Sequence, residues 1–111
     1  MRPILTDEKL HQNAKSSIEN FHPQIVSEAE KMISQNEWVI IGMAGNPFVK
    51  RARKHLENKG ITFKYVEYGS YFSGWKERLA IKLWSGWPTF PQVFHKGTLI
   101  GGFDDLIKYL T

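Results

Sequence analysis

A proline-flanked stretch from Trp84 to Phe94, reading WSGWPTFPQVF, constrains the fold of this chain more than any other feature. Each proline restricts the residue before it to extended geometry, so Trp87 and Phe90 are held out of helical conformation. The residues after Pro91 include β-branched and aromatic side chains, which favour a strand. A proline before such a strand is typical of a tight turn with a cis bond, which leaves backbone groups pointing outward. The stretch therefore predicts a platform for a ligand.

The residues that follow this platform predict a hairpin and a final helix. A Lys-Gly pair at 96–97 fits a tight turn, residues 98–100 suit a second short strand, and the glycine pair at 101–102 interrupts the chain. Asp104 is predicted to cap the last helix, because an N-cap carboxylate accepts hydrogen bonds from free backbone amides.

Upstream, the pattern predicts a strand, a helix and a second strand. Trp38 begins an apolar run that is typical of a strand covered on both faces. Asn46 occupies an N-cap position with Pro47 at the first helical position, and Gly60 closes the helix. Residues 62–68 form the next strand, so the order predicts a right-handed parallel crossover. The residues expected on the inward face of the helix are Phe48, Val49, Ala52 and Leu56.

A loop and a third helix are predicted between this strand and the platform. Residues 68–74 are rich in turn-forming and aromatic side chains, and Ser73 is predicted to cap a helix over residues 75–84. The side chains expected to be buried on that helix are Trp75, Leu79, Ala80, Leu83 and Trp84.

The first 37 residues predict a helical extension. A first helix begins at Thr6 or Asp7 and is interrupted before Pro23, where a second helix starts and runs to Gln35. No linker rich in glycine, serine or proline separates these helices from the rest of the chain. We therefore expect residues 1–37 to pack on a core domain of residues 38–111. The apolar positions of the first helix recur at steps of three and four, at Leu10, Ala14, Ile18 and Phe21.

Composition narrows the chemistry. The chain has 111 residues and no cysteine, which excludes a disulfide framework, a thiolate metal site and a thiol nucleophile of its own. Its four histidines show no metal-ligand spacing, so no metal is expected. It contains no apolar run of the length that a membrane span needs and no signal-peptide pattern, which predicts a cytoplasmic protein.

The charge is positive and unevenly placed. The net charge is +4, with four basic and six acidic side chains in residues 1–37 and eleven basic and five acidic side chains in residues 38–111. Solubility alone accounts for such a charge, but a basic core also favours an anionic partner: a small carboxylate ligand, an acidic protein surface or nucleic acid. Four basic residues crowd the first turns of a helix, where the helix dipole disfavours them. We expect them to form a rim for an acidic partner: Lys50, Arg51, Arg53 and Lys54.

The run WPTFPQVF at residues 87–94, followed by GGFD at residues 101–104, closely resembles the signature of glutaredoxins, particularly their monothiol branch. The order of elements after residue 38 is also similar to that family. The resemblance implies an α/β, thioredoxin-like (glutaredoxin) fold in which helices flank a central four-stranded mixed sheet. The helical extension of residues 1–37 lies outside the common family core.

The chain departs from the family at the start of its first core helix. Where glutaredoxins carry Cys-Pro-x-Cys or its monothiol form, this sequence has Asn46-Pro47-Phe48-Val49. Asn46 and Val49 thus stand at the former cysteine positions, and no catalytic residue is assigned. Thiol–disulfide exchange requires a thiolate, so the glutathione-disulfide oxidoreductase activity of the family is not expected from this chain alone. Glutathione-bridged iron–sulfur binding uses the same cysteine and is not expected either.

The resemblance implies glutathione as the ligand. Arg78 and Lys82, spaced i and i+4 on one helix, fall where the family meets the glycine carboxylate. The backbone before a cis proline would bind the middle of the tripeptide, and the start of the last helix its γ-glutamyl end. Met43 replaces a lysine that the family usually carries, which predicts weak binding. The remaining residues expected at the ligand are Phe90, Pro91, Gly102, Phe103 and Asp104.

Three functions from different classes follow. The favoured one is a glutaredoxin-related module, within cell redox homeostasis, that binds glutathione or a protein weakly and performs no autonomous thiol–disulfide exchange. The first alternative is a glutathione-dependent enzyme, transferase-like or redox, in which glutathione supplies the only thiol. The second is a nucleic-acid-binding accessory protein aided by exposed aromatic side chains, which no family motif supports. The oligomeric state stays open.

Overall fold

The computed structural model of this chain describes residues 23–111, which form four helices and four strands. The predicted helix over residues 6–21 lies outside the described residues. In chain order the elements are α1 (Pro23–Gln35), β1 (Trp38–Gly42), α2 (Pro47–Asn58), β2 (Lys64–Glu67), α3 (Trp75–Ser85), β3 (Gln92–His95), β4 (Thr98–Gly101) and α4 (Phe103–Tyr109).

The four strands form one mixed sheet in the order β2-β1-β3-β4. β1 pairs with β2 in parallel and with β3 antiparallel, and β3 pairs antiparallel with β4. All five residues of β1 are buried, as its continuous apolar run predicts for a central strand covered on both faces. The predicted parallel crossover and hairpin therefore combine into the predicted central sheet.

Two helical layers cover the sheet, because alternate residues of β1 point to opposite faces. Val39 and Ile41 pack with Ala29 of α1 and Ile81 of α3. On the other face, Ile40 belongs to a second cluster that contains Leu56 of α2 and Leu106 of α4. Burying each large aliphatic side chain contributes about 1.5–3 kcal/mol, so these two clusters hold the layers together. None of the helices in this part of the chain combines the length and apolar character that a membrane span requires.

The start of α2 follows its sequence signals. Asn46 is the N-cap, Pro47 is the first helical residue, and Gly60 follows the helix with a φ of +71°. Val49, Ala52 and Leu56 are buried as predicted. Phe48 is instead 48% exposed, because it lies one position before Val49, at the edge of the inward face.

The predicted burial along α3 is wrong for three residues. Trp75, Leu79 and Leu83 are exposed, and the helix instead buries Arg78, Ala80 and Ile81 against the rest of the molecule. α3 carries apolar side chains on two faces, so periodicity alone does not reveal which face is inward. The predicted Ser73 cap is also wrong: the N-cap is Gly74, in left-handed conformation and without a side-chain cap.

The cap of α4 differs from the prediction as well. The N-cap is Gly102, and Asp104 lies within the first turn. The carboxylate of Asp105 accepts the Gly102 N–H at 3.0 Å and so takes the capping role that the sequence had assigned to its neighbour. Negative charge in the first turn complements the positive end of the helix dipole.

Candidate functional site

An open groove of about 530 Å³ lies at the end of the sheet where β1 leads into α2 and the chain enters β3. Its walls come from four segments: the turn after β1, the loop before α3, the platform before β3 and the first turn of α4. The lining residues are Met43, Asn46, Pro47, Phe48, Tyr71, Lys82, Trp87, Pro88, Thr89, Phe90, Pro91, Gly102, Phe103, Asp104 and Asp105.

Asn46 closes the N-terminus of α2 with its own side chain. Its Oδ1 accepts the backbone N–H of Phe48 at 2.8 Å and that of Val49 at 3.1 Å. These are the free amides that stabilise a thiolate when a cysteine occupies a helix N-terminus. In this chain the Asn46 carboxamide accepts both amides, so the group at the start of the helix is uncharged and is not a nucleophile.

The platform before β3 forms one edge of the groove. The Phe90–Pro91 peptide bond is cis, and both residues are buried. Within residues 23–111 the Phe90 N–H and C=O make no backbone hydrogen bond, although the residue lines the groove. Buried backbone groups usually have partners, so this position offers a donor and an acceptor to a ligand.

Gln92 holds the platform through a side-chain hydrogen bond to Trp87, a role that the sequence did not predict. Its side chain is fully buried, and its Nε2 donates to the Trp87 carbonyl at 3.1 Å. The Trp87 Nε1 is also buried and has no hydrogen-bond partner within the described residues. A Cβ added at Gly102 would lie 3.8 Å from that Nε1, so this indole lies beside the start of α4.

The two glycines before α4 have different requirements. Gly101 has a φ of +129°, and a Cβ there would collide with the Asp105 carboxylate, so only glycine fits. Gly102 has a φ of −94°, and a Cβ there would meet its neighbours at ordinary contact distance. Glycine at position 101 is therefore required by the backbone conformation. Gly102 has no such requirement, and it lines the groove without a side chain.

Arg78 and Lys82, which the sequence assigned to one carboxylate, have different surroundings. Lys82 lines the groove, and its Nζ lies 5.8 Å from the centre of the Phe90 ring. Arg78 is 9% exposed and does not line the groove. Its Nη1 donates to the Tyr68 carbonyl at 3.1 Å and to the Ser73 carbonyl at 2.6 Å, so its guanidinium is engaged by the protein itself.

The loop that Arg78 holds is tightly built. Ser70 and Ser73 exchange backbone hydrogen bonds, and the Ala44 N–H donates to the Gly69 carbonyl at 2.8 Å. Gly69 and Gly74 have positive φ and approach so closely that a Cβ on either would collide with the other's backbone. This loop places Tyr71 against Gly45 in the groove wall, a contribution that its aromatic composition alone did not predict.

Burial also changes the acidity of the phenol at the base of this loop. Burial, and to a smaller extent the negative charge of Glu28, raises the pKa of Tyr68 to about 12. Its hydroxyl is buried without a hydrogen-bond partner within the described residues. The Tyr68 phenol therefore stays protonated to a higher pH than an exposed tyrosine does.

The basic rim is only partly a free surface. Lys50, Arg51 and Lys54 are exposed, and the Arg51 guanidinium lies 5.3 Å from the centre of the Phe48 ring. Arg53 is half-buried and lies 3.9 Å from the centre of the Tyr65 ring, so its charge is directed to the side of α2. Three of the four predicted rim residues are therefore presented to solvent.

The groove joins most of the residues that the sequence singled out. Asn46 and Lys82 line it together with Phe90, Pro91 and the residues at 102–104, and Met43 lines it as well. Lys82 is the cation among the lining residues, and Asp104 and Asp105 are the carboxylates. Within residues 23–111, no three histidine or acidic side chains come together in a way that could hold a metal.

A parallel β1–β2 pair, an antiparallel β3–β4 hairpin, a helix that starts beside the groove and a proline before β3 together define a thioredoxin-like protein. The family model of glutaredoxin matches residues 39–100. The chain belongs to the glutaredoxin family, as its signature indicated, and it is a divergent member because it contains no cysteine.

Individual relatives agree with this assignment. The chain is 51% identical over 109 residues to a glutaredoxin-like protein from Dictyostelium discoideum, covering 98% of this chain and 87% of that protein. The structure of wheat glutaredoxin is similar with a TM-score of 0.68 and 28% identity, over 79% of this chain and 83% of the wheat chain. A buckwheat glutaredoxin–glutathione complex shares the fold with a TM-score of 0.69 and 21% identity, over 79% and 80% of the two chains.

Proposed function

We propose that this protein is a binding module that holds glutathione, or a segment of a partner protein, without performing thiol–disulfide exchange itself. One observation supports this most strongly: the groove keeps a cation, an unpaired stretch of backbone and a carboxylate together although the thiol is missing. Lys82, Phe90 and Asp104 supply these three features.

Glutathione matches this arrangement chemically. The tripeptide carries a carboxylate at its glycine end, and both a carboxylate and an ammonium group at its γ-glutamyl end. Lys82 suits the glycine carboxylate, the Phe90 backbone suits the central peptide group, and the Asp104 carboxylate suits the ammonium group. The buckwheat glutaredoxin of the same fold forms a complex with glutathione, which supports this choice of ligand.

The affinity is expected to be low. Met43 lines the groove where the resemblance to the family implies a lysine. Arg78 donates hydrogen bonds to the carbonyls of Tyr68 and Ser73, in the loop before α3, and does not line the groove. Losing one hydrogen bond to a charged group costs about 1.5–3 kcal/mol, or roughly tenfold to a hundredfold in affinity. We therefore expect binding to be weaker, by about one to two orders of magnitude, than in a groove that carries this lysine.

Chemistry on the ligand is limited by the residues present. Exchange would require a thiolate to attack a disulfide sulfur, and the chain has no sulfur nucleophile to supply. Asn46 presents a carboxamide where the reactive sulfur would lie. The protein therefore positions a glutathione thiol or disulfide for another molecule rather than reacting with it.

A titration of the ¹⁵N-labelled protein with reduced glutathione tests this function. We expect shift changes concentrated at Lys82, Phe90 and residues 102–104, and the same changes with S-methylglutathione because no thiol is required. Lys82→Ala should weaken binding about tenfold, since it removes the charged contact to the glycine carboxylate.

Two controls make this titration specific. Lys76→Ala removes an exposed lysine of the same helix that does not line the groove, and it should leave the affinity unchanged. Glutathione amide carries a neutral carboxamide in place of the glycine carboxylate, so Lys82→Ala should weaken its binding far less than that of glutathione. An absence of shift changes at millimolar glutathione, or equal losses in both lysine variants, would contradict the proposal.

A further inference from the structure

Three large apolar side chains project from the outer surface of α3. Trp75, Leu79 and Leu83 recur at intervals of four residues and are 60%, 38% and 47% exposed, respectively. Residues at this spacing lie one above another on a helix, so the three form a continuous strip, which we name the α3 stripe. It points away from Ile81, which packs in the core.

The neighbouring helix shows what a solvent-facing surface of this layer looks like. α1 packs on the same face of the sheet as α3 and against α3 itself. Its exposed positions are polar, for example Ser27, Lys31 and Ser34. Amphipathic surface helices normally expose polar side chains and bury apolar ones, so the α3 stripe has the composition of a covered surface.

The chain itself contains a segment of matching pattern. Residues 6–21 carry Leu10, Ala14, Ile18 and Phe21 along one face of the predicted helix, and nearly all other positions are polar. In helical conformation Leu10 and Phe21 are about 16 Å apart along the axis, while Trp75 and Leu83 are about 12 Å apart. Two narrow apolar strips of similar length are what the contact between a pair of packed helices requires.

The point of attachment favours this segment over other occupants. It ends at Phe21, two residues before Pro23, the first residue of α1, and α1 packs against α3. Proline disfavours helical conformation in the residue before it, so the sequence predicts a break between the two helices at His22. A short tether of this kind gives an effective concentration on the order of millimolar, which a separate partner does not reach at ordinary protein concentrations.

We propose that residues 6–21 form an amphipathic helix that packs its apolar strip on the α3 stripe of the same molecule. The extension thereby covers Trp75, Leu79 and Leu83 and removes from solvent an apolar surface that would otherwise promote self-association. This assigns the N-terminal extension a specific docking surface on the core domain.

The absence of cysteine makes this proposal directly testable, because one introduced cysteine takes a spin label at a single position. A nitroxide at Ser17→Cys, next to the predicted strip, should strongly broaden the indole N–H signal of Trp75 and the amide signals of α3. The amides of α4, on the opposite face of the sheet, should keep their intensity. Broadening of α4 to the same extent as α3, or an unchanged Trp75 signal, would overturn the proposal.

Matched variants separate apolar docking from mere proximity. Leu10→Asp with Ile18→Asp places two charges in the strip and should restore the Trp75 signal. Gln12→Asp with Ser16→Asp adds the same charge on the polar face and should leave the broadening intact. Equal effects of the two pairs would contradict the proposed contact.

A mixing experiment identifies the occupant. Spin-labelled chain without ¹⁵N is mixed with ¹⁵N-labelled chain that carries no spin label. We expect no broadening in the ¹⁵N-labelled chain, because each α3 stripe is covered by its own extension. Broadening of Trp75 in this mixture would show that a second copy occupies the stripe and would overturn the intramolecular assignment.

Discussion

At the scale of single residues, the chain replaces reactive groups with structural ones while keeping the local backbone. Asn46 caps α2 through the two amides that would otherwise surround a thiolate, and Pro47 still begins the helix. The sequence predicted this start because asparagine is favoured at the N-cap and proline at the first helical position. The sequence did not predict the role of Gln92, because a glutamine in a strand pattern does not indicate that its side chain will donate to the Trp87 carbonyl.

The buried phenol of Tyr68 provides a test at this scale. Its pKa of about 12 in the folded protein exceeds the value of about 10 expected in the unfolded chain. The unfolded state therefore loses its proton first, and the stability associated with the neutral phenol is complete below about pH 10 and declines as the pH rises towards 12.

Tyr68→Phe should reduce the loss of unfolding free energy between pH 8 and pH 11, since phenylalanine cannot ionise. At pH 8 the substitution should change stability little, because the hydroxyl has no hydrogen-bond partner within the described residues. Urea unfolding at both pH values measures the difference. Burial also raises the pKa of Tyr65. Because the wild-type protein and Tyr68→Phe both contain Tyr65, its contribution cancels in the difference between their unfolding free energies. An identical loss of stability in the two chains would contradict this reading of Tyr68.

At the scale of elements, the sequence predicted correctly those features that follow from the backbone preference of one residue type. It failed where tertiary contacts determine which face of a helix is buried. The bounds of α1 and the start of α2 agree with prediction, and the Lys-Gly turn has positive φ at both residues. The inward face of α3 was misassigned, because a buried arginine cannot be distinguished from a solvated one by its spacing. Its partners are backbone carbonyls of a loop whose path the sequence does not give.

Arg78→Ala tests that interpretation of α3. It removes two hydrogen bonds from a charged donor and leaves the Tyr68 and Ser73 carbonyls without that partner. We expect a loss of about 2–3 kcal/mol in the free energy of unfolding and new amide shifts throughout residues 68–74. The exposed neighbour provides the control: Lys76→Ala should change stability by less than about 0.5 kcal/mol. Equal stability of the two variants would refute a structural role for Arg78.

At the scale of the whole molecule, the resemblance carried more information than any pattern of hydrophobicity. The signature around Pro91 and the GGFD run placed the chain in the glutaredoxin family, and the mixed sheet with its flanking helices follows. The groove, however, depends on where four separate segments meet. Tyr71 and Trp87 enter its wall through loop and turn geometry, which single-sequence patterns do not determine.

The proposed function requires a groove that recognises glutathione although the thiol is absent. Introducing one cysteine makes this recognition measurable as the rate of reaction with glutathione disulfide. In Asn46→Cys the new sulfur lies at the N-terminus of α2, whose amides lower its pKa, and its thiolate can attack glutathione disulfide. One glutathione thiolate leaves, and the other half of the disulfide remains bound to residue 46 as a mixed disulfide.

The decisive measurement is the rate of this reaction with glutathione disulfide relative to hydroxyethyl disulfide, which lacks the peptide. A matching groove predicts a preference for glutathione disulfide of about tenfold or more in Asn46→Cys, and a loss of that preference when Lys82→Ala is added. A cysteine at Ser34, on the exposed side of α1, should show no preference. If Asn46→Cys discriminates no better than the Ser34→Cys control, the groove does not recognise glutathione and the account is contradicted.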